Sequence, residues 1–149
     1  MYCPFNGKPV FCDVDENTFC INMNDAENRI TDKTRGIVPV HLFLQTADMA
    51  TCMEFAKKNH LAVLGDAAEA FGMRTMFNGE YVHAGLMGDF GTFSFVPTKT
   101  LGGYGDGGMI ATNNEELYKK QKVTEYLERD EVSFVCESIE EFFNGIRNH

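Results

Sequence analysis

No window of the chain approaches the roughly 18 consecutive apolar residues that a membrane-spanning helix needs. Its opening residues, M-Y-C-P-F-N-G, have neither the basic start nor the apolar core of a secretory leader. Positive charge is scarce too: 13 Lys and Arg stand against 22 Asp and Glu, a net charge of −9. A surface of that sign argues against nucleic acid and anionic membranes as partners and for a soluble protein. It leaves room for a phosphorylated ligand, because backbone N–H groups and one hydroxyl can hold a phosphate without a basic surface. The five cysteines, Cys3, Cys12, Cys20, Cys52 and Cys136, are odd in number and share no C-x-x-C spacing. That pattern fits a reduced, cytoplasmic protein whose thiols are small buried or half-buried side chains rather than ligands or nucleophiles.

Common ligand and catalytic signatures are missing as well. The four histidines, His41, His60, His83 and His149, show no H-E-x-x-H or other ligand spacing, and there is no G-x-S-x-G elbow. Asp13-x-Asp15-x-Asn17 opens like a calcium loop, yet Thr18 stands at the glycine position and Asn24 at that of the closing glutamate. Neither a metal site nor a serine hydrolase is expected. The glycine run from Gly102 to Gly108 lacks G-K-(S/T) and does not lie between a strand and a helix. It reads as turn geometry rather than as a triphosphate loop.

What is present is one domain of alternating strands and helices. At 149 residues and 44% hydrophobic, the chain can bury a real core, and nothing in it is repeated or of low complexity. Residues 9–14 read as a strand ended by a polar turn, and 24–30 as a short helix capped by Asn22 or Asn24. A second strand covers 36–40, with Pro39 better suited to its end than to a central ladder position. The spacing of Met49, Cys52, Met53, Phe55 and Ala56 predicts a helix over 47–59, with Thr46 as a cap and Lys57 and Lys58 near its C-terminus. Residues 61–65 are a continuous apolar run, as in a strand buried on both faces, and a short helix over 67–71 follows. Asn78-Gly79 marks a hairpin turn. Strands are expected over 89–95 and 108–112, and Asn114 caps a helix reaching about Glu128. The order predicts an α/β fold with a mostly parallel sheet. In such sheets functional residues gather at the carboxyl ends of the strands.

His41, Asp66 and Lys99 each follow a predicted strand or sit in the loop after one. Lys99 lies between the strand F-S-F and the glycine-dense turn, and Asp66 ends the strand L-A-V-L-G. A strand-end acid with a loop lysine is what a pyridoxal phosphate (PLP) enzyme needs. The lysine holds the cofactor as a Schiff base and the acid keeps its ring nitrogen protonated. The residues alone leave other roles open. Lys99 reads equally as a solvated loop lysine, Asp66 as a helix cap, Ser94 as an outward-facing strand serine, Glu69 as a solvent-facing residue and His41 as a hydrogen-bonded structural group.

G-D-A-A-E-A around Asp66 and F-S-F-V-P-T-K-T-L-G through Lys99 resemble the motifs E-D-A-A-x-A and F-S-F-x-x-x-K-x-L-G of the DegT/DnrJ/EryC1/StrS sugar aminotransferases, at similar spacing. P-V-H-L around His41, Q-x-A-D-M from Gln45 and N-N-E-E-L from Asn113 extend the resemblance. It implies the large domain of a fold-type I PLP-dependent transferase, a three-layer α/β/α unit on a mostly parallel sheet. The implied reaction transfers an amino group from an amino acid, typically glutamate, to a nucleotide-linked keto-sugar in amino-sugar and cell-surface polysaccharide biosynthesis. Carried over by position, Lys99 is the Schiff-base lysine, Asp66 the partner of the pyridinium nitrogen and Ser94 a binder of the cofactor phosphate. Glu69 would touch the cofactor or an incoming substrate, and His41 would lie in a loop near the active site, where Leu44 replaces the usual glycine. The lysine itself argues against the family's dehydratase branch, in which histidine replaces it.

The match runs from about Lys8 to Lys120. Residues 1–120 are therefore expected to form the PLP-binding segment of the large domain, and 121–149 a divergent helical tail with an amphipathic acidic stretch over 137–146. On this reading the N-terminal segment and the C-terminal small domain of relatives are absent. The site is then incomplete, transamination by this chain alone is weak or absent, and a homo-oligomer (a dimer) or a complementing chain covers exposed apolar surface. Two readings of other classes stay open: a non-catalytic binding or regulatory module that keeps the fold, and a truncated remnant. The sugar, the nucleotide and the ring position are not legible in the sequence.

Overall fold

The computed structural model describes residues 8–119 and the strand Ser133–Cys136. Helix α1 (Met23–Arg29) and strand β1 (Gly36–Ile37) are followed by helix α2 (Met49–Asn59) and strand β2 (Ala62–Asp66). A hairpin of β3 (Arg74–Phe77) and β4 (Glu80–His83) precedes β5 (Phe90–Ser94), β6 (Gly108–Ala111) and β7 (Ser133–Cys136). The main sheet has the order β1-β2-β5-β6-β7. Three of its pairings, β1–β2, β2–β5 and β6–β7, are parallel, and β5–β6 is antiparallel. This is the mostly parallel α/β sheet that the alternation of elements predicts. No helix among the described residues is long and apolar enough to cross a membrane.

Side-chain carboxylate and amide groups set where the helices begin. Asn22 caps α1, its Oδ1 accepting from the backbone N–H groups of Asn24 and Asp25 at 3.0 and 3.4 Å. At α2 the cap is Asp48 rather than Thr46, so the helix starts two residues later than the apolar spacing suggests. Asp48 Oδ1 accepts from the Thr51 N–H at 3.1 Å and Oδ2 from the Thr51 hydroxyl at 2.7 Å. A carboxylate outcompetes a neutral hydroxyl here because it also faces the positive end of the helix dipole. His60 closes α2 in a left-handed conformation (φ 55°), its N–H turned back to the carbonyls of Ala56 and Lys57.

Several expected elements are shorter or differ. Residues 9–14 form no strand; Val14 alone bridges antiparallel to Ile21, and Pro9 has no N–H to offer a ladder. The strand expected over 36–40 reduces to β1, after which buried Pro39 interrupts the ladder and Val40 makes a single bridge to Asp66. Residues 67–71 turn instead of winding into a helix: the Ala70 N–H closes a tight turn onto the Ala67 carbonyl, the Met73 N–H closes the next onto Ala70, and Gly72 between them stands at φ 82°. The hairpin turn is as expected, with Asn78 and Gly79 at φ 51° and 86°. Asn114 caps the next helix through bonds from Glu116 and Leu117; its continuation towards residue 128 lies outside the described residues. Within 121–149, expected to be helical, β7 pairs in parallel with β6 instead. The acidic stretch 137–146 lies outside the described residues.

The sheet buries one face. Val63, Gly65, Gly91, Phe93, Met109 and Ala111 share it by alternation and register, and all are buried. Helix α2 covers part of that face, with Met49, Cys52, Phe55 and Ala56 packed in one cluster with Val63 and Met23 of α1 against the same cluster. Phe93, Met109 and Ala111 pack against Ala67, Ala70 and Ala84, with Phe71 standing edge-on to Phe93 and Phe95 at 5.6 Å. The opposite face carries Leu64, Asp66, Phe90, Thr92, Ser94 and Ile110, all half-buried. The two faces differ because the Gly85 backbone lies directly on Gly91. A Cβ at residue 91 would sit 1.8 Å from the Gly85 carbonyl oxygen.

Gly91→Ala is therefore expected to destabilise the fold by about 3 kcal/mol, since backbone cannot swing aside as a side chain can. Gly105→Ala, with nothing within 4 Å of its Cβ, should stay within about 0.5 kcal/mol of wild type. Urea unfolding midpoints at unchanged m-value would show the contrast.

Candidate active site

Strands β2 and β5 run parallel side by side, so their carboxyl ends meet. Asp66, the last residue of β2, is in register with Thr92 of β5, and Ser94 lies two residues further on the same face. That offset is about 6.6 Å along the strand. The chain then leaves β5 into the loop that carries Lys99. The Lys99 N–H closes a turn onto the Val96 carbonyl at 2.9 Å, with Pro97 preset for the turn's second position. Phe95 anchors both ends of the longer loop: its carbonyl accepts from Gly103 and its N–H donates to Gly107, each at 2.8 Å.

Lys99 reaches back to the segment after β2. Its Nζ lies 2.9 Å from Glu69 Oε1, in an ion pair whose side chains are 25% and 39% exposed. A pair this wet is worth about 0.2–1 kcal/mol. Beside it the Thr100 hydroxyl donates to the Glu69 backbone carbonyl at 3.0 Å. Residue 69 thus ties the lysine loop down twice, once by charge and once by backbone. Asp66 uses one carboxylate oxygen locally, Oδ1 accepting from the Ala68 N–H at 3.0 Å. Its Oδ2 and the Ser94 hydroxyl have no hydrogen-bond partner among the described residues.

His41 stands apart from this group. Its backbone N–H donates to the Asp66 carbonyl at 2.8 Å, but the ring is fully buried. Nδ1 accepts from the Ala47 N–H at 3.2 Å, just before α2, and Nε2 lies 3.3 Å from where a Gly65 Cβ would be. It therefore sits under the buried face, while the alternation of β2 turns the Asp66 side chain to the other. Burial pushes the imidazole below its ordinary pKa, and the Asp66 charge opposes that only in part. With Nδ1 accepting, the neutral ring carries its proton on Nε2, where it finds no partner among the described residues. His41 ties β1's extension to α2 rather than lining a loop at the site. Burial, with the Asp48 and Cys20 charges, pushes the Cys52 thiol of α2 up to about 11.

Asp66, Ser94, Lys99 and Glu69 are thus brought to one strand edge, and His41 is not. The Thr100 tether went unnoticed in the sequence, since a threonine one residue past a lysine carries no signal of its own.

The residues present fit a PLP-type cofactor. An amine, an uncommitted carboxylate oxygen and a free hydroxyl converge at the ends of two parallel strands, and the glycine turn stays narrow. A Cβ at Gly102 would lie 2.6 Å from the Pro97 carbonyl oxygen.

Comparison with known proteins gives the same direction. The family model of the DegT/DnrJ/EryC1/StrS aminotransferases matches residues 3–134. A pleiotropic regulatory protein of Geobacillus stearothermophilus is 49% identical over 116 residues, 78% of this chain and 30% of that protein. The GDP-perosamine synthase of Escherichia coli O157:H7 is 43% identical over 112 residues, 75% of this chain and 29% of the enzyme. Among solved structures, NtdA from Bacillus subtilis with bound cofactor PMP superposes with a TM-score of 0.66 at 38% identity, covering 79% of this chain and 25% of that one. The chain spans about a third or less of the length of the relatives it matches.

A buried histidine with a lowered pKa sets the sign of one pH effect. The unfolded chain takes up a proton near pH 6.5 that the folded chain refuses, so stability is full above that value and falls as pH drops through it. Asp15, Asp25 and Asp48 have lowered values and titrate in a more acidic window. His83, also lowered by burial and by the Arg74 charge, adds to the histidine slope. His41→Asn keeps an acceptor near Nδ1 and should flatten the fall in urea midpoint between about pH 7 and 5, leaving a residue due to His83.

Proposed function

Because the chain belongs to the DegT/DnrJ/EryC1/StrS aminotransferase family, we propose that it serves PLP-dependent transfer of an amino group from an amino acid, glutamate by preference, to a nucleotide-linked keto-sugar. The observation that carries this is the convergence of Asp66, Ser94 and Lys99 at the carboxyl ends of β2 and β5. When bound, PLP supplies an aldehyde for the amine and an electron-poor ring that stabilises charge on the adjoining carbon. Lys99 would hold it covalently through Nζ, and the same nitrogen, once released, would move the proton that amino transfer requires. Asp66 Oδ2 would keep a proton on the ring nitrogen by a charge-assisted hydrogen bond. Ser94 would hold the phosphate through its hydroxyl, with backbone N–H groups in place of a basic surface.

Residues 1–120 are read as the cofactor-binding segment. The sugar side of the proposal draws on the GDP-perosamine synthase at 43% identity. Amino-sugar assembly for surface polysaccharides is the pathway class, and a cytoplasmic setting suits the free cysteines Cys12, Cys20 and Cys52. The half-buried Leu64, Phe90 and Ile110 support association with a second copy or a complementing chain. A second reading, a binding or regulatory module on the same fold, is favoured by one finding, the regulatory name of the relative at 49% identity.

Mixing the chain with PLP, reducing with borohydride and mapping peptides separates the two. The aminotransferase reading expects a stable adduct at Lys99 that Lys99→Ala abolishes. Asp66→Asn should keep the adduct, shift its absorbance and lower any amino transfer by about a hundredfold or more. Indiscriminate labelling of surface lysines would sink the reading in favour of the module.

A further inference from the structure

We infer that Glu69 is the holding partner of the Lys99 amine, a positioning residue that keeps Nζ docked as an ammonium ion whenever it is not covalently engaged. The inference deepens the reading of Lys99 as the cofactor lysine and rests on it for its place in catalysis. By motif position alone, Glu69 would touch the cofactor or a substrate. In the structure its carboxylate reaches the lysine instead, 2.9 Å from Nζ.

Two features make this a device rather than an accidental surface pair. The first is the division of labour between neighbouring acids. Asp66 Oδ1 is spent on the Ala68 N–H, which turns the segment 67–70 and places Glu69 at its tip. Of the two carboxylates, it is Glu69 that meets the amine. The second is the Thr100 hydroxyl on the Glu69 backbone carbonyl, 3.0 Å. It fixes the lysine loop against residue 69 through the main chain, so the loop position does not depend on the carboxylate. The carboxylate is then free to act on the amine alone. An amine freed during turnover has a dock at one ion-pair distance instead of swinging into water.

The two contacts can be separated. Glu69→Gln removes the charge and leaves the carbonyl that Thr100 uses; Thr100→Val removes the tether and leaves the charge. With no cofactor present, trace acetic anhydride at pH 8 would be used to label amines. Lys99 would be quantified by peptide mapping against Lys57 and Lys58, exposed on α2. Wild-type Lys99 should react slowly. Glu69→Gln should raise its rate by about 1.4- to fivefold, the range for a half-exposed pair at about 0.2–1 kcal/mol. Raising salt to about 1 M, where screening falls to about 3 Å, should raise the wild-type rate by a similar factor and leave Glu69→Gln unchanged. The rate of PLP capture at Lys99 should rise in the same proportion in Glu69→Gln. Equal labelling in wild type and Glu69→Gln, or a rise in Thr100→Val alone, would overturn the inference. Failure of wild-type Lys99 to capture PLP would instead remove the cofactor reading, with the acylation result still deciding whether Glu69 holds the amine.

Discussion

Gly65 of β2 and Gly91 of β5 lie opposite each other in parallel register, with the Gly85 backbone resting on Gly91 and the His41 ring against Gly65. Neither position carries a side chain, so backbone and imidazole occupy the space that two Cβ atoms would take. One face of the sheet is thereby filled to contact distance. The alternation of β2 and β5 leaves Asp66, Thr92 and Ser94 on the other, at the ends of the strands. Moving β2 by one residue would send Asp66 into the packed side, and moving β5 would do the same to Thr92 and Ser94. The site geometry follows from this contact more than from any residue within the site.

The electrostatic setting is unusual for a phosphate cofactor. The chain carries −9 overall, and two acids, Asp66 and Glu69, flank the lysine. Any anion approaching the strand ends meets more negative than positive charge. Recognition by hydroxyl and backbone N–H groups suits such a place, because these dipoles act at close range and add nothing to the long-range field. The ion pair between Lys99 and Glu69 cancels one of the two negative charges and leaves that of Asp66.

Elements with strong local codes were legible in the sequence. The apolar stripe of α2, the Asn78-Gly79 turn and the Asn22 and Asn114 caps needed no knowledge of what packs on them. What failed was set by distant partners. The Ala67 N–H ties the end of β2 to Thr92, far along the chain, and the alanine-rich segment that looks helical passes into successive tight turns ending at Gly72. The 36–40 segment is interrupted at Pro39 although β2 runs beside it, and 9–14 makes only the Val14–Ile21 bridge. The residues of the candidate site were singled out because a lysine and an acid at strand ends have a chemical meaning. Their mutual contact was not, since side-chain reach across a loop leaves no periodicity. Leu44, where the resemblance leads one to expect glycine, keeps the left-handed backbone (φ 60°) and stays 68% exposed. The conformation there is imposed by the surrounding chain and not by the residue.

The packing of His41 against Gly65 also limits how this sequence can drift. A methyl group at 65 would lie 3.3 Å from Nε2, and a larger side chain would overlap the ring. A smaller residue at 41 would open that space but strip the Ala47 N–H of its acceptor. Change at 65 presses on the ring and change at 41 must keep an acceptor, so a bulkier residue at 65 and a compact acceptor at 41 would fit together better than the former alone. The two positions are coupled, and descendants of this chain would be expected to vary them jointly more often than independently.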